Sequence, residues 1–493
     1  MRCPTTKFWG GEVYSKTNRF GRYQAHGTLE VMYDGAMENS GFPKKNASLG
    51  TKVTGGWDWN VEAGATTVHY TSWKEMMPNK NVTDRFDQYS KTTNFAGALA
   101  WKDCGMFGAE FDQDDSWGSL RFTPTNLTFK KSVYAFDGML ISLGSNISAS
   151  GAYGDDMITA TNLFQGIDSE VSGELVVNGE TMAAGAETKT NDSSADLWMV
   201  TPQGTGYFVP KGNDPIIIKH GEQSSPNETG DNVDDPVTVT AAKAYINHGV
   251  KTSGKEYVFV AVPATNATDM AELAAKMANK GGEIFEIKAQ NEKLHALAYK
   301  PAKVTAYSIF TAVDGLNFGR LKSTASEMLL MEKPGVNDKM LSLAISNPNL
   351  RPQKDGNDPE GKRWIATPTQ TSIVLDGEWV LNGDAIDGVT ITPQSDKTTK
   401  IDLTLTEGEP VYIDLVDKDA VGITTVDQSE QAHVYTAGHD VFVVNAVGTA
   451  MVYDVAGQVI KSVDVDGSAR FTLDQQGCYI VKISDKTVKV VIR

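Results

Sequence analysis

Short apolar runs separated by tight-turn dipeptides recur along most of this 493-residue chain, and they constrain its fold more than any other feature. The runs are rich in Val, Ile, Tyr, Phe and Thr, which is typical of β-strands. The intervening dipeptides include Asp137-Gly138, Asn178-Gly179 and Asp376-Gly377. Such pairs favour two-residue hairpins, because Gly, Asn and Asp tolerate positive φ. The pattern predicts an all-β protein made of large antiparallel sandwiches, with the alternating run 28–33 as one early strand.

One segment has helical rather than β periodicity. The apolar residues of 267–280 repeat at helical spacing, and Thr268 or Asp269 can cap the first turn. Gly281-Gly282 then ends the pattern. We therefore expect a single helix here, with roughly 40% strand or more and less than about 15% helix in the chain.

Polar stretches suggest where the chain divides. Residues 221–236 are acidic and predict a surface loop inside a sheet domain, whereas 347–362 and 416–432 read as connections between blocks of strands. The expected domains are 1–293, 294–420 and 421–493.

Charge and hydropathy exclude several classes of protein. The chain has 45 Lys and Arg against 62 Asp and Glu, a formal net charge of −17, so it has no net attraction for nucleic acid or anionic lipid. It contains no apolar run long enough to predict a transmembrane helix. The first residues lack the apolar core of a signal peptide.

Familiar catalytic and metal-binding motifs are absent from the sequence. It has no P-loop, G-x-S-x-G, H-E-x-x-H or Rossmann glycine run, and its seven histidines are scattered. Cys3, Cys104 and Cys478 form no C-x-x-C pair. The acidic run 110–115 lacks EF-hand spacing, so a solvated turn is favoured, and a structural calcium ion is left open. No cofactor is expected to be required.

The N-terminal region combines arginines with aromatic residues. Arg2, Arg19 and Arg22 lie near several aromatic residues, and Trp57 and Trp59 follow. Aromatic faces beside arginine forks suit sugars that carry carboxylate or sulfate groups. The alternative is structural: two tryptophans spaced two apart would place both rings on one face of a strand, inside the core.

Glu110 is the most unusual carboxylate in this region. It lies in the apolar run Met106–Phe111, where an unpaired charge would be costly. It therefore needs a partner, and Arg or His is the natural one.

Several ordered motifs resemble those of polysaccharide lyase family 8, the hyaluronate and chondroitin lyases. The form Asn-Arg-Phe-Gly-Arg-Tyr at 18–23 looks most like the broad-specificity chondroitin ABC branch. The resemblance covers about residues 1–415, and the usual Pro-Gly-Thr-Thr turn is here Gly64-Ala65-Thr66-Thr67. The motifs that carry it are 18–27, 57–60, 64–67, 131–138, 143–147, 247–249 and 257–260.

The resemblance implies a central β-supersandwich of the galactose-mutarotase-like kind, followed by smaller β-sandwich domains. It also implies a preceding α/α-toroid domain, which supplies the Asn, His and Tyr of the active site, and this chain begins after it. The implied reaction is β-elimination at a uronic acid. By this resemblance Glu110 would orient the catalytic His, and Arg2 would lie near the leaving oxygen. Arg19 and Arg22 are the alternatives for that arginine, or else members of structural ion pairs.

The chain end, 452–483, resembles the C-terminal sorting domains of the type IX secretion system, which implies an extracellular, periplasmic or cell-surface protein. The sequence thus predicts part of a secreted lyase acting on glycosaminoglycans such as chondroitin sulfate, dermatan sulfate or hyaluronan. The alternative is a non-catalytic carbohydrate-binding β-sandwich protein. Expected partners are an acidic polysaccharide and the upstream toroid.

Overall fold

The computed structural model describes most of the chain and shows an almost purely β architecture. The described residues are 5–7, 13–15, 17–31, 55–77, 86–87, 89–113, 123–151, 153–335, 338–420, 433–437, 439–483 and 486–492. Of these, 53% lie in strands and 7% in helices, which confirms the predicted fold class. The chain forms two compact units, Met1–Ala420 and Val421–Arg493.

The described elements follow one another in this order. The first strands are β1 (Val13–Tyr14), β2 (Thr66–Val68), β3 (Phe86–Asp87), β4 (Ala96–Trp101), β5 (Cys104–Asp112), β6 (Leu127–Phe136), β7 (Met139–Ala149), β8 (Ile158–Ile167), β9 (Val176–Val177), β10 (Glu180–Thr181), β11 (Lys189–Asn191), β12 (Leu197–Val200), β13 (Gly206–Val209), β14 (Ile216–Ser225), β15 (Val237–Val250) and β16 (Lys255–Val262). The next are β17 (Phe285–Gln290), β18 (Leu294–Tyr299), β19 (Val304–Ile309), β20 (Leu321–Thr324), β21 (Met328–Pro334), β22 (Met340–Ser346), β23 (Gln353–Lys354), β24 (Trp364–Ile365), β25 (Thr369–Asp376), β26 (Trp379–Leu381), β27 (Val389–Pro393), β28 (Thr398–Leu405) and β29 (Val411–Asp417). The helices are α1 (Trp73–Met76), α2 (Ala267–Gly281) and the 3-10 turns Gly21–Tyr23, Asp168–Glu170 and Lys418–Ala420.

Four antiparallel sheets of the first unit stack as successive layers. Over the described residues, a five-stranded sheet (β11-β14-β15-β8-β2) faces a nine-stranded sheet (β10-β9-β12-β13-β16-β7-β6-β5-β4). The opposite face of the nine-stranded sheet packs on a seven-stranded sheet (β17-β18-β19-β21-β22-β29-β26), and this packs on a four-stranded sheet (β20-β25-β28-β27). Three apolar cores lie between these layers.

The position of the nine-stranded sheet explains why its strands are apolar on both faces. Val133, for example, points away from Tyr134 along β6, and both are buried. A sheet covered on both sides loses the simple alternation of apolar and polar residues. Strand β17 already belongs to the seven-stranded sheet, and the expected domain boundary at residue 293 stays a prediction.

Two of the three predicted turns have hairpin geometry, whereas Asp376-Gly377 connects β25 to β26, which lie in different sheets. Asp137 and Gly138, between β6 and β7, have φ of 45° and 76°, and Asn178 and Gly179, between β9 and β10, have 49° and 88°. Positive φ at both central residues is what a two-residue turn requires. The run 28–33 is not a strand as far as it is described, because Thr28–Val31 has no regular structure.

The helix α2 lies where the sequence predicts it, but its cap differs. The side-chain oxygen of Asn266 accepts hydrogen bonds from the backbone N–H groups of Thr268 and Asp269, at 2.9 and 3.0 Å. The expected caps, Thr268 and Asp269, are thus the donors. Regular helical geometry ends at Met277, because the three following residues have non-helical dihedral angles. Neither described helix is long and apolar enough to cross a membrane.

The second unit is a small β-domain with its own core. Its described strands are β30 (His433–Ala437), β31 (Asp440–Tyr453), β32 (Val459–Thr472), β33 (Gly477–Ile483) and β34 (Lys486–Ile492). Buried Val443, Val452, Phe471 and Val481 contribute to the core. The resemblance of this block to a sorting domain stays a prediction.

We expect Asn266→Ala to destabilise the first turn of α2 by about 1 kcal/mol, because two backbone donors lose their acceptor. Hydrogen exchange of the peptide spanning 264–277, followed by mass spectrometry, should accelerate in that variant. Asn266→Asp should keep the protection, and equal exchange in Asn266→Ala and the wild type would contradict the capping assignment.

Candidate functional site

Glu110 forms an ion pair with a lysine. It lies on β5 directly opposite Lys130 on β6, and Glu110 Oε1 is 2.7 Å from Lys130 Nζ. The two side chains are 20% and 18% exposed. They share the strand face of Met106 and Tyr134, which pack toward the seven-stranded sheet. Lys130 is thus one partner of Glu110, and the expectation of an Arg or His partner stays a prediction.

An imidazole close enough to feel the charge of Lys130 is enclosed and neutral. His295 Nδ1 is 2.8 Å from the Ser132 hydroxyl, and its Nε2 is 2.8 Å from the Ser145 hydroxyl. Burial, together with the charge of Lys130, lowers the pKa of His295 to about 3. A neutral histidine held by two serines between sheets is a structural group.

The arginine candidates differ in their accessibility. Arg22 is fully buried, and its guanidinium lies 5.3 Å from the centre of the Tyr70 ring. Burial and the charge of Arg22 lower the pKa of His26 to about 3. Arg19 is half-buried, and its backbone N–H donates to the carbonyl oxygen of Glu228. Arg2 lies outside the described residues. A fully buried Arg22 favours the structural alternative for that residue.

The two tryptophans are also buried. Trp57 and Trp59 are 4% and 1% exposed and belong to the core between the five- and nine-stranded sheets. Trp59 stacks on Phe20 at 5.6 Å and donates from Nε1 to the carbonyl oxygen of Pro226 at 2.9 Å. The interpretation as sheet core is favoured over sugar stacking, although both residues lie in an irregular segment rather than on a strand.

Only residues 110–113 of the acidic run 110–115 are among the described residues. The Glu110 carboxylate contacts Lys130, and Asp112 Oδ2 accepts a hydrogen bond from the Thr92 hydroxyl at 2.5 Å. Asp114 and Asp115 lie outside the described residues. Within the described ranges no group of three or more His, Cys, Asp or Glu side chains could hold a metal ion. The structural calcium ion therefore stays a prediction.

A cluster of titratable side chains that sequence reasoning missed lies on the outer face of the five-stranded sheet. We call it the outer-face cluster: Asp58, His69, Lys219, Lys243 and Tyr245. Lys219 on β14 and Lys243 on β15 are directly opposite one another. They alternate along their strands with core residues such as Ile218 and Ala244, so both point away from the core. Like charges in directly opposite positions destabilise a strand pair.

Asp58 compensates one of these two charges. Its Oδ2 is 2.6 Å from Lys243 Nζ, with the side chains 17% and 10% exposed. The backbone around Asp58 is held by Gln165, which accepts from the Asp58 N–H and donates to its carbonyl oxygen. Burial alone would raise the pKa of Asp58, but the nearby Lys243 and His69 outweigh it and hold that pKa below its usual value. The carboxylate is therefore ionised at neutral pH.

His69 and Tyr245 complete the cluster as neutral groups. His69 Nε2 is 2.9 Å from Asn162 Oδ1, and its ring packs edge-on against Tyr245 with centroids 4.8 Å apart. Burial is the main cause that lowers the pKa of His69 to about 4. Burial and the Asp58 charge raise the pKa of Tyr245 to about 12. At neutral pH the cluster thus holds one carboxylate and two lysines beside a neutral imidazole and phenol.

We expect Glu110→Gln to lower the free energy of unfolding by about 1–2 kcal/mol, because Lys130 loses its charged partner on a partly enclosed face. Removing both charges, in Glu110→Gln with Lys130→Met, should recover much of that loss. Urea denaturation of the two variants measures both effects. If Glu110→Gln left stability unchanged, the ion pair would not be the main role of Glu110.

We expect Asp58→Asn to cost about 3 kcal/mol at pH 7, because it leaves two opposed lysines without a counter-charge. The folded-state pKa of Asp58 is lowered, so its contribution is present above the ordinary carboxyl pKa of about 4 and is lost as pH falls. The melting-temperature gap between wild type and Asp58→Asn should therefore narrow below pH 4. A gap independent of pH would contradict the assignment.

Comparison with known proteins identifies relatives over most of the chain. Residues 5–274 match the sequence profile described as polysaccharide lyase family 8, super-sandwich domain. The chain is 24% identical over 381 residues to the chondroitin sulfate ABC endolyase of Proteus vulgaris, covering 77% of this chain and 34% of that protein. It is 27% identical over 404 residues to the chondroitin sulfate ABC exolyase of Bacteroides thetaiotaomicron, covering 75% and 35%. The chain therefore spans about a third of the length of these relatives.

Solved structures show the same fold. A chondroitinase AC lyase has a TM-score of 0.58 at 17% identity, covering 83% of this chain and 50% of its own. A xanthan lyase from Paenibacillus has a TM-score of 0.60 at 15% identity, covering 99% and 47%. The profile match extends over more than half of the chain and confirms the resemblance in the sequence motifs. The chain belongs to polysaccharide lyase family 8.

Proposed function

We propose that this chain is the β-sandwich part of a polysaccharide lyase that cleaves uronic-acid-containing glycosaminoglycans by β-elimination. The observation that carries the proposal is the match of residues 5–274 to the super-sandwich domain of the family. Relatives named chondroitin sulfate ABC endolyase, chondroitin sulfate ABC exolyase and chondroitinase-AC support chondroitin or dermatan sulfate as the substrate class, with hyaluronan as a further candidate.

The proposed reaction requires an accessible base and an accessible acid. A base removes the C5 proton of the uronic acid, a C4–C5 double bond forms, and the C4–O bond breaks as an acid protonates the leaving oxygen. Burial lowers the pKa of His26, His248 and His295. All three are buried, so none can serve as the base. We propose that a His and a Tyr of an upstream α/α-toroid domain transfer the protons.

Arg2 stays the proposed arginine near the leaving oxygen, with Arg19 as the alternative, because Arg22 is fully buried. Glu110 as the carboxylate that orients the catalytic His also stays a proposal, although its ion pair with Lys130 favours a structural role. The elimination needs no cofactor in this scheme. We propose an extracellular, periplasmic or cell-surface location, on the resemblance of the chain end to a sorting domain.

The alternative function is non-catalytic binding of carbohydrate. The enclosed histidines of the first unit are compatible with it, since binding requires no base. The two functions differ in a simple respect: a lyase domain gains elimination activity when its toroid is supplied, whereas a binding protein does not.

We expect the chain alone to show negligible elimination activity on chondroitin sulfate, because each missing acid–base group contributes about 10²–10⁴ to the rate. Fusion to the N-terminal portion of the Proteus vulgaris endolyase should produce the unsaturated uronate, measured by its absorbance. A fusion that folds and binds substrate but never forms product would contradict the proposed lyase function. Turnover by the chain alone would require a base within it.

A further inference from the structure

We propose that the outer-face cluster is a binding site for the sulfate or carboxylate group of an acidic polysaccharide, with Lys219 as the cation that contacts it. The inference rests on the proposed function for the class of ligand. It concerns ligand binding rather than proton transfer.

The first observation is that the charge of Lys219 is only partly offset by a counter-charge, that of Asp58. Asp58 pairs with Lys243, on the strand opposite, whereas Lys219 makes no ion pair with any residue the structure describes. Side chains alternate between the two faces along β14 and β15, and the register of the strands places both lysines on the same face at directly opposite positions. The arrangement therefore retains one unmatched positive charge beside another, which is unfavourable until an anion is added.

The second observation is that neutral polar groups surround this charge. Tyr245 is the diagonal neighbour of Lys219 across the strand pair, a spacing of roughly 7–8 Å. Its hydroxyl makes no hydrogen bond within the described part of the chain, so it is available as a donor to an anion. Lys219 and His69 are both half-buried, so solvent and a ligand can reach them.

The third observation concerns the free nitrogen of His69. Asn162 uses its Nδ2 to donate to Asn60 and Thr67, which leaves its Oδ1 as the acceptor for His69. The shared proton is then on His69 Nε2, and the neutral ring has an unprotonated Nδ1. This nitrogen can accept a hydrogen bond from a sugar hydroxyl. A cation and a hydroxyl donor beside an acceptor match an acidic sugar better than a bare inorganic anion.

Net charge argues for a specific site. A chain with a net charge of −17 repels polyanions over most of its surface. Binding of a sulfated glycan must therefore depend on a local arrangement such as this one, and removal of a single cation should have a large effect.

Affinity measurements on the full chain test the proposal. A sulfated chondroitin tetrasaccharide is titrated calorimetrically into the wild type, Lys219→Met, Lys219→Arg and the control Lys276→Met, on the exposed face of α2. We expect Lys219→Met to weaken binding about tenfold, in line with a hydrogen bond to a charged group. Lys219→Arg should retain most of the affinity, and Lys276→Met should not change it.

Misfolding cannot explain the expected loss, because Lys219→Met relieves a repulsion and should leave the melting temperature equal or higher. Equal affinity in Lys219→Met and the wild type, or no binding by the wild type, would overturn the proposal. Binding of inorganic sulfate with equal strength would show an adventitious ion only.

The outcome is separable from that of the proposed function. In an active fusion, Lys219→Met should raise KM with little change in kcat, and an unchanged KM would overturn only the binding site. A fusion without elimination activity whose glycan binding still depends on Lys219 would overturn only the lyase function.

Discussion

The ion pair between Asp58 and Lys243 connects the irregular segment 55–65 to the outer face of the five-stranded sheet. The need for this ion pair arises in strands β14 and β15. Their inner faces are apolar, so Lys219 and Lys243 lie together on the outer face of the sheet, where they repel each other. Asp58 offsets part of that repulsion. The same segment carries Trp57 and Trp59 into the core, so a largely buried charge pair and a pair of buried aromatic side chains together fix its position.

The nine-stranded sheet imposes a second constraint, in the interior of the first unit. It is covered on one face by the five-stranded sheet and on the other by the seven-stranded sheet and α2. Polar groups on it must therefore find partners within the layers, as Glu110 does with Lys130, and as Ser132 and Ser145 do with His295 of the seven-stranded sheet. Burial on both faces explains why residues that look chemically active in the sequence have structural contacts here.

Local patterns predicted the parts of the structure that depend on neighbouring residues. The turn at Asp137-Gly138 and the helix α2 follow from positive φ and helical spacing. The partners of Glu110 and Asp58 could not be predicted from local patterns. Lys130 lies 20 residues from Glu110 and Lys243 lies 185 residues from Asp58, so each pair depends on which segments meet and in what register. Trp57 and Trp59 were ambiguous for the same reason: a tryptophan in a loop motif packs in a core or faces a sugar according to its tertiary surroundings.

Family membership and the outer-face cluster together point to substrate binding and proton transfer by different parts of the protein. The β-sandwich part would hold an acidic chain by charge and hydrogen bonds, while a separate domain would carry out proton transfer. The most direct measurement is carbon-13 NMR of dimethylated lysines in the full chain during titration with a sulfated chondroitin tetrasaccharide. The Lys219 signal is assigned by its absence from the spectrum of Lys219→Arg. Its chemical shift should change until the site is saturated with tetrasaccharide, whereas that of Lys276 should not change. A Lys219 signal that stays unchanged while other lysine signals shift would contradict this assignment.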